Sequence, residues 1–208
     1  MTKLPERDYI KEFKVQNADY NSAIEEKHRH VFQLPDDPTR WSPDWTLFPG
    51  PIFQPHIRAL FDHSRILGFR AGFEDFRQFL VEAGESDFIC FLLPSQSDPA
   101  RIYQFPTSID WDTYASGGPS SMVHLHGGQA NHVFGDSGGW GAYYIEPWLS
   151  WVWGFHTEET LNAFRKVFEK EEDTKTLAEE CLNELPQTKH WRSEYENFVD
   201  RYMSLPNP

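Results

Sequence analysis

The sequence predicts an α+β fold, in which an antiparallel or mixed sheet of about five strands carries N-terminal helices and a C-terminal helical segment. Three patterns support this prediction. Apolar residues recur at helical spacing before residue 87, alternate or run continuously over residues 87–156, and return to helical spacing over residues 157–205. A chain of 208 residues suits one core, so we expect a single domain over residues 1–208.

The N-terminal part is predicted to contain three helices and a long loop. Asn21-Ser22 can cap a first helix that ends near Val31. Residues 34–55 include six prolines and are typical of a loop that follows the surface. Residues 56–66 and 72–83 are predicted to be helical, and Gly84 is a suitable stop. The apolar positions of the third helix are Phe73, Phe76, Phe79 and Leu80.

The sheet is predicted from strand patterns over residues 87–156. A strand pattern begins at Asp87, where residues 88–93 form a continuous apolar run, as in a central strand that is covered on both faces. Residues 101–105 are its expected partner. Residues 111–114 and 122–126 carry weaker strand patterns. A β-meander is predicted to follow, with strands at residues 132–135, 140–146 and 149–155.

Three helices are predicted to close the chain. Thr157 can cap the first of them, and the apolar spacing continues through two further segments. The apolar positions are Leu161, Phe164, Val167 and Phe168, then Leu177, Cys181, Leu182 and Leu185, then Trp191, Tyr195, Phe198, Val199 and Tyr202.

The formal net charge of −13 restricts the partners of the chain. Nucleic acids and anionic membranes attract concentrated Lys and Arg, so we expect neither of them and instead expect a basic protein partner. Cys90 and Cys181 are too few for a disulfide scaffold. The N-terminus lacks the apolar run of a signal peptide, and no segment has the length of a membrane span, so we expect a cytoplasmic protein.

Residues 135–139 have the sequence Gly-Asp-Ser-Gly-Gly, which resembles the nucleophile motif of chymotrypsin-like proteases. The resemblance implies that Ser137 is a nucleophile, assisted by an upstream histidine and an orienting aspartate. Neither partner is recognisable, and helical segments flank the sheet. We therefore expect a hairpin turn, in which Asp136 accepts a local backbone hydrogen bond and Gly138-Gly139 supplies positive φ. A hydrolase that uses Ser137 is the alternative.

A second alternative is a metal-dependent enzyme that uses His124, His126 and His132. The first two imidazoles lie two residues apart, so they would project from one face of a strand. A carboxylate ligand at a fixed spacing is missing after them. We therefore expect no metal and no cofactor.

Aromatic residues of the meander divide into two groups. Period-two geometry places Leu149, Trp151, Trp153 and Phe155 on one strand face, which we expect to form the core beneath the helices. Other rings alternate with carboxylates near loops and hairpin ends, and such a mixture suits binding of a basic protein. The predicted partner-binding residues are Asp110, Asp112, Asp136, Trp140, Tyr144, Glu146 and Trp148.

Residues 87–171 combine an acidic, cysteine-poor α+β pattern with a tryptophan-containing meander and a following helix. In this combination the chain resembles small bacterial immunity proteins, which inhibit secreted toxins. The resemblance implies a cytoplasmic inhibitor that occludes a basic toxin domain, such as a nuclease domain, without covalent chemistry. An enzyme, or an interaction protein with no toxin partner, remains an alternative.

Overall fold

The computed structural model describes residues 12–15, 18–33, 54, 58–62, 67–92, 101–116, 122, 131–145 and 150–168. The strands are β1 (Arg58–Asp62), β2 (Asp87–Leu92), β3 (Arg101–Pro106), β4 (Asn131–Gly135), β5 (Trp140–Ile145) and β6 (Ser150–Phe155). The helices are α1 (Ala18–Val31), α2 (Arg70–Glu82), α3 (Trp111–Ala115) and α4 (Glu158–Phe168).

The described strands form one sheet in the order β1-β6-β5-β4-β2-β3, and all neighbours are antiparallel. The predicted α+β class, the meander from β4 to β6 and the pairing of β2 with β3 are therefore confirmed. The sheet has six strands rather than about five. Residues 13–15 also bond to the outer edge of β3, where the Val15 N–H donates to the Ile102 carbonyl at 3.0 Å.

Helices α2, α3 and α4 cover one face of the sheet. Trp151, Trp153 and Phe155 are buried beneath them, as predicted from their alternation. The centroid of the Trp153 ring lies 5.0 Å from that of Phe164 on α4. Large rings fill most of this layer, so its packing depends on edge-to-face and tilted ring contacts as well as on buried area.

Helix α1 covers the opposite face, where β5 carries a glycine. A Cβ atom at Gly141 would lie 2.6 Å from Phe32 Cζ and 2.7 Å from Val31 Cγ1. The absence of a side chain at Gly141 therefore lets the end of α1 approach the sheet backbone. The molecule consequently has three layers, with helices on both sides of the sheet.

The helix predicted at residues 56–66 is wrong, because residues 58–62 form β1 and pair with β6. A short apolar run fits both helical and strand periods, and the open edge of β6 needs backbone partners. The strand predicted at residues 111–114 is also wrong. Those residues lie in α3, where Asp110 accepts the Thr113 N–H at 2.8 Å and so caps the helix.

Other local predictions are confirmed with small shifts. Helix α1 begins at Ala18, so Asn21 lies inside the helix. Helix α2 ends as predicted before Gly84, which has φ of +72°. Thr157 caps α4, since its hydroxyl accepts the Thr160 N–H at 3.2 Å. The remaining predictions lie outside the described residues. They are the loop at 34–55 apart from Gln54, the strand at 122–126 apart from the buried Met122, and the last two helices.

None of the helices within the described part of the chain has both the length and the apolar character needed to cross a bilayer.

Substitution of Gly141 by alanine tests the close approach of α1. We expect Gly141→Ala to lower the free energy of unfolding by about 1–3 kcal/mol, because the new methyl group overlaps Phe32 and Val31. Urea denaturation measures this change. Gly84→Ala is the contrast, because its Cβ meets open space and its cost of about 1–2 kcal/mol comes from positive φ alone. Truncation of Phe32 to alanine should rescue Gly141→Ala but not Gly84→Ala, and equal rescue would contradict the steric explanation.

Candidate functional site

The turn between β4 and β5 contains the Gly-Asp-Ser-Gly-Gly motif. The Gly138 N–H donates to the Gly135 carbonyl at 3.0 Å, which closes the turn, and Gly138 has φ of +69°. The predicted hairpin is therefore confirmed, but positive φ occurs at Gly138 and not at Gly139. At Gly139 a Cβ would lie 3.1 Å from Ser137 Oγ and 3.2 Å from Thr160 Cγ2, so a side chain there would be crowded.

The carboxylate of Glu85 holds this turn from inside the protein. Its Oε1 accepts the Ser137 hydroxyl at 2.5 Å and the Trp140 indole N–H at 3.0 Å. Its Oε2 accepts the Ser137 backbone N–H at 3.0 Å. We call this arrangement of Glu85, Ser137 and Trp140 the Glu85 clamp. Because Glu85 is only 7% exposed, its three donors replace the water that the carboxylate loses on burial.

The end of α2 places Glu85 under the turn. The Glu85 N–H donates to the Leu80 carbonyl and the Gly84 N–H to the Val81 carbonyl, the bonding pattern of a Schellman motif. Gly135 makes room for the carboxylate, because a Cβ at residue 135 would lie 2.1 Å from Glu85 Oε1. The glycine that opens the motif is thus required by Glu85, which the sequence analysis did not identify.

The hydroxyl group of Ser137 both donates and accepts a hydrogen bond. In the described part of the chain, the hydroxyl donates to Glu85 and accepts the Gly139 N–H at 3.0 Å. Neither partner is an imidazole, whereas a serine nucleophile of the chymotrypsin type is activated by one. The local geometry gives Ser137 the role of a turn-stabilising residue.

Asp136 faces outward from the turn. The prediction that its side chain accepts a local backbone bond is wrong, since it binds Lys27 Nζ of α1 at 2.7 Å. The Asp136 N–H donates to the Asp87 carbonyl at 3.2 Å, and the Thr160 hydroxyl donates to the Gly139 carbonyl at 3.1 Å. The turn therefore connects α1, the start of β2 and the start of α4.

Asp110 and Asp112 lie at the start of α3, on a different element from Asp136. Asp110 is exposed, and hydrogen bonds from the Thr113 backbone and hydroxyl lower the pKa of its carboxyl group. Asp112 is exposed and pairs with Arg70 at the start of α2. The predicted acidic residues whose positions are described thus form two groups, one at the start of α3 and one on the turn.

The aromatic part of the predicted binding surface is wrong at Trp140, which is 0% exposed and packs against Phe79 with ring centroids 5.0 Å apart. The alternation of β5 turns this ring toward the helices. Tyr144 lies on β5 opposite Trp151. Glu146 and Trp148 lie outside the described residues, as do His124 and His126.

His132 is buried on the face of the sheet that α1 covers, where it forms a pair with His28. The His28 Nε2 and His132 Nδ1 atoms are 2.6 Å apart, so one imidazole donates to the other. The His132 ring stacks on Phe32 at 4.0 Å between centroids, and the His28 ring stacks on Phe91 at 4.6 Å. The apolar spacing of Ile24, His28 and Val31 on α1 was the available signal for this pair.

Burial keeps both imidazoles neutral. Loss of hydration, followed by repulsion from Arg29, lowers the pKa of His28 to about 3. Burial, followed by electrostatic repulsion from His28, lowers the pKa of His132 well below its ordinary value. Among residues with described positions, no group of three or more His, Cys, Asp or Glu side chains is arranged to hold a metal ion.

Comparisons of the chain with protein-family models, with curated proteins and with solved structures find no match.

A double-mutant cycle tests the Glu85 clamp. Glu85→Gln places an amide N–H against one of the three donors, and Ser137→Ala removes the hydroxyl that bonds to Glu85. We expect each change to lower the free energy of unfolding by about 1–3 kcal/mol, with a coupling energy of about 0.5–3 kcal/mol in urea denaturation. Ser86→Ala, which removes a neighbouring exposed hydroxyl, is the control and should show no coupling to Glu85→Gln. Strict additivity of the Glu85 and Ser137 changes would rule out the clamp.

The buried histidine pair predicts a loss of stability in acid. The folded-state pKa values lie below the unfolded value of about 6.5, so the unfolded chain binds more protons as the pH falls from about 6.5 toward 3. The stabilisation is complete above pH 6.5 and is lost progressively below it. His28→Gln should reduce the slope of unfolding free energy against pH by about 1.4 kcal/mol per pH unit in this window.

The exposed neighbour His30 provides the control for the pH experiment. His30→Gln should retain the slope of the unsubstituted protein, since this side chain lies outside the buried pair. If His28→Gln and His30→Gln give the same slope in urea titrations, the assignment to the buried pair is incorrect.

Proposed function

We propose that this chain is an acidic protein-binding domain, which captures a basic protein partner through carboxylates at its surface. The observation that carries the proposal is the net charge of −13, together with surface positions for Asp110, Asp112 and Asp136. Between Ile102 and Phe164 the sequence contains no Lys or Arg, so this part of the chain contributes negative potential. Such a field accelerates encounter with a basic partner.

The form of the proposal that fits the sequence best is an immunity protein of the cytoplasm, which inhibits a basic toxin domain by occlusion. The Glu85 clamp supports a binding role, because it fixes the turn that presents Asp136. A rigid acceptor loses little conformational entropy on binding. The buried free thiol of Cys90 is compatible with a reducing compartment.

The engagement of Ser137 also favours binding over hydrolysis. A hydroxyl that donates to Glu85 and accepts the Gly139 N–H must break both contacts before it attacks a substrate. The metal-dependent alternative needs His132 as a ligand, and this imidazole is buried against His28 and Phe32. No specific contact in the described chain favours either enzyme hypothesis.

Affinity capture from a lysate of the source organism tests the proposal. We expect the unsubstituted protein to enrich a basic protein, and the triple variant Asp110→Asn, Asp112→Asn, Asp136→Asn to lose it. Asparagine preserves the helix cap at residue 110, so the fold should be retained. With the purified partner, the association rate should fall at least about tenfold at low salt and approach that of the unsubstituted protein at high salt.

A matched control removes the same charge elsewhere. Glu25→Gln, Asp75→Asn and Glu159→Gln change three exposed acids that were not predicted to bind. This variant should keep most of the association rate. Equal loss in both variants would reduce the effect to bulk charge and contradict a defined surface. Labelling of Ser137 by a fluorophosphonate would instead support the hydrolase alternative.

A further inference from the structure

The ion pair between α1 and the turn occupies one of the acids that the proposed function assigns to a partner. Lys27 Nζ lies 2.7 Å from Asp136 Oδ1, and the two side chains are 38% and 33% exposed. A basic protein that reaches Asp136 therefore meets a carboxylate that already has an internal cation. Lys27 and an external cation thus compete for the same group.

The packing of α1 places Lys27 beside the turn. A Cβ at Gly138 would lie 3.8 Å from the Lys27 carbonyl oxygen, so the helix backbone is adjacent to the turn. His28, the next residue, is buried and bonds to His132 of β4, which holds this part of the helix on the sheet. The base of the Lys27 side chain is therefore fixed, whereas its four-carbon stem is flexible enough for the ammonium group to swing aside.

The sequence of α1 gives Lys27 no acidic neighbour at helical spacing. The residues three and four positions away are Ala23, Ile24, His30 and Val31. Acids at these positions are the ones that usually pair with an exposed lysine on a helix. Within the part of the chain that the structure describes, the acid that pairs with Lys27 is therefore Asp136, from a distant segment of the sequence.

We propose that Lys27 is an internal counterion, which a basic partner displaces from Asp136 and which weakens the binding of other basic proteins. The inference rests on the proposed function, because it concerns access to the same carboxylate. The exchange of one exposed ion pair for another gains little, so a single external cation is a poor competitor. A partner must add further contacts around the turn to displace Lys27, and Lys27 thereby contributes selectivity.

Titration with a lysine tetrapeptide tests this competition and does not require the natural partner. The backbone amide chemical shifts of Ser137 and Gly138 report binding beside Asp136. At low salt, Lys27→Met should bind the peptide about two- to fivefold more tightly than the unsubstituted protein, the factor that an exposed ion pair accounts for. Methionine removes the charge and retains an apolar stem. Absence of peptide-dependent shifts in Lys27→Met up to about 10 mM would overturn the inference, since Asp136 would then not bind an external cation even without Lys27.

A second lysine provides the matched control. Lys166 Nζ lies 2.6 Å from Glu82 Oε2, so Lys166→Met removes the same charge and a similar ion pair from the last turn of α4. This variant should leave the peptide affinity at the turn nearly unchanged. In an Asp136→Asn background, Lys27→Met should give no more gain than Lys166→Met. An equal gain from the two lysine variants, or a gain that survives Asp136→Asn, would attribute the effect to net charge and contradict the inference.

The outcomes separate this inference from the proposed function. Tighter peptide binding by Lys27→Met, without capture of a basic protein from the lysate, would contradict the proposed function and leave the displacement of Lys27 supported. Capture of a basic protein, with equal peptide affinities for Lys27→Met and the unsubstituted protein, would overturn the inference alone. The amide spectrum of each variant without peptide establishes that it is folded.

Discussion

The buried carboxylate of Glu85 is the constraint on which the proposed binding surface depends. Glu85 is only 7% exposed, so its carboxylate needs hydrogen-bond donors from inside the protein. Ser137 and Trp140 supply three of them. These bonds fix which residues of the motif point inward. Trp140 enters the core, Ser137 closes the turn and Asp136 is left outside to meet Lys27. The hydrogen bonds of Glu85 therefore determine the position of Asp136.

The two faces of the sheet achieve close packing in different ways. Rings from α2 and α4 interlock with the tryptophans of β5 and β6 on one face. On the other face, Gly141 allows α1 to approach the backbone, and the paired imidazoles lie in the same layer. In the α1 layer each imidazole is the hydrogen-bond partner of the other, and aromatic rings pack on both of them.

The parts of the fold that local sequence specifies were predictable. Helix α2 has four buried apolar residues on one face and a glycine stop, and the meander alternates clearly. Strand β1 was not predictable, because its identity depends on β6, far along the chain. The Glu85 clamp was missed for the same reason. An acid after a helix is usually solvated, and its burial here depends on Gly135 and on Ser137, 52 residues away.

The pairing of β1 with β6 has a consequence for how the protein is made. Among the described strands, the first to leave the ribosome bonds to the last, so residues 58–62 have no sheet partner until residue 155 has been synthesised. Contacts of such high sequence separation slow folding, because a long loop must close before they form. The edge strand β1 therefore stays unpaired while the strands between it and β6 are synthesised, and β6 must be made before the sheet can be completed.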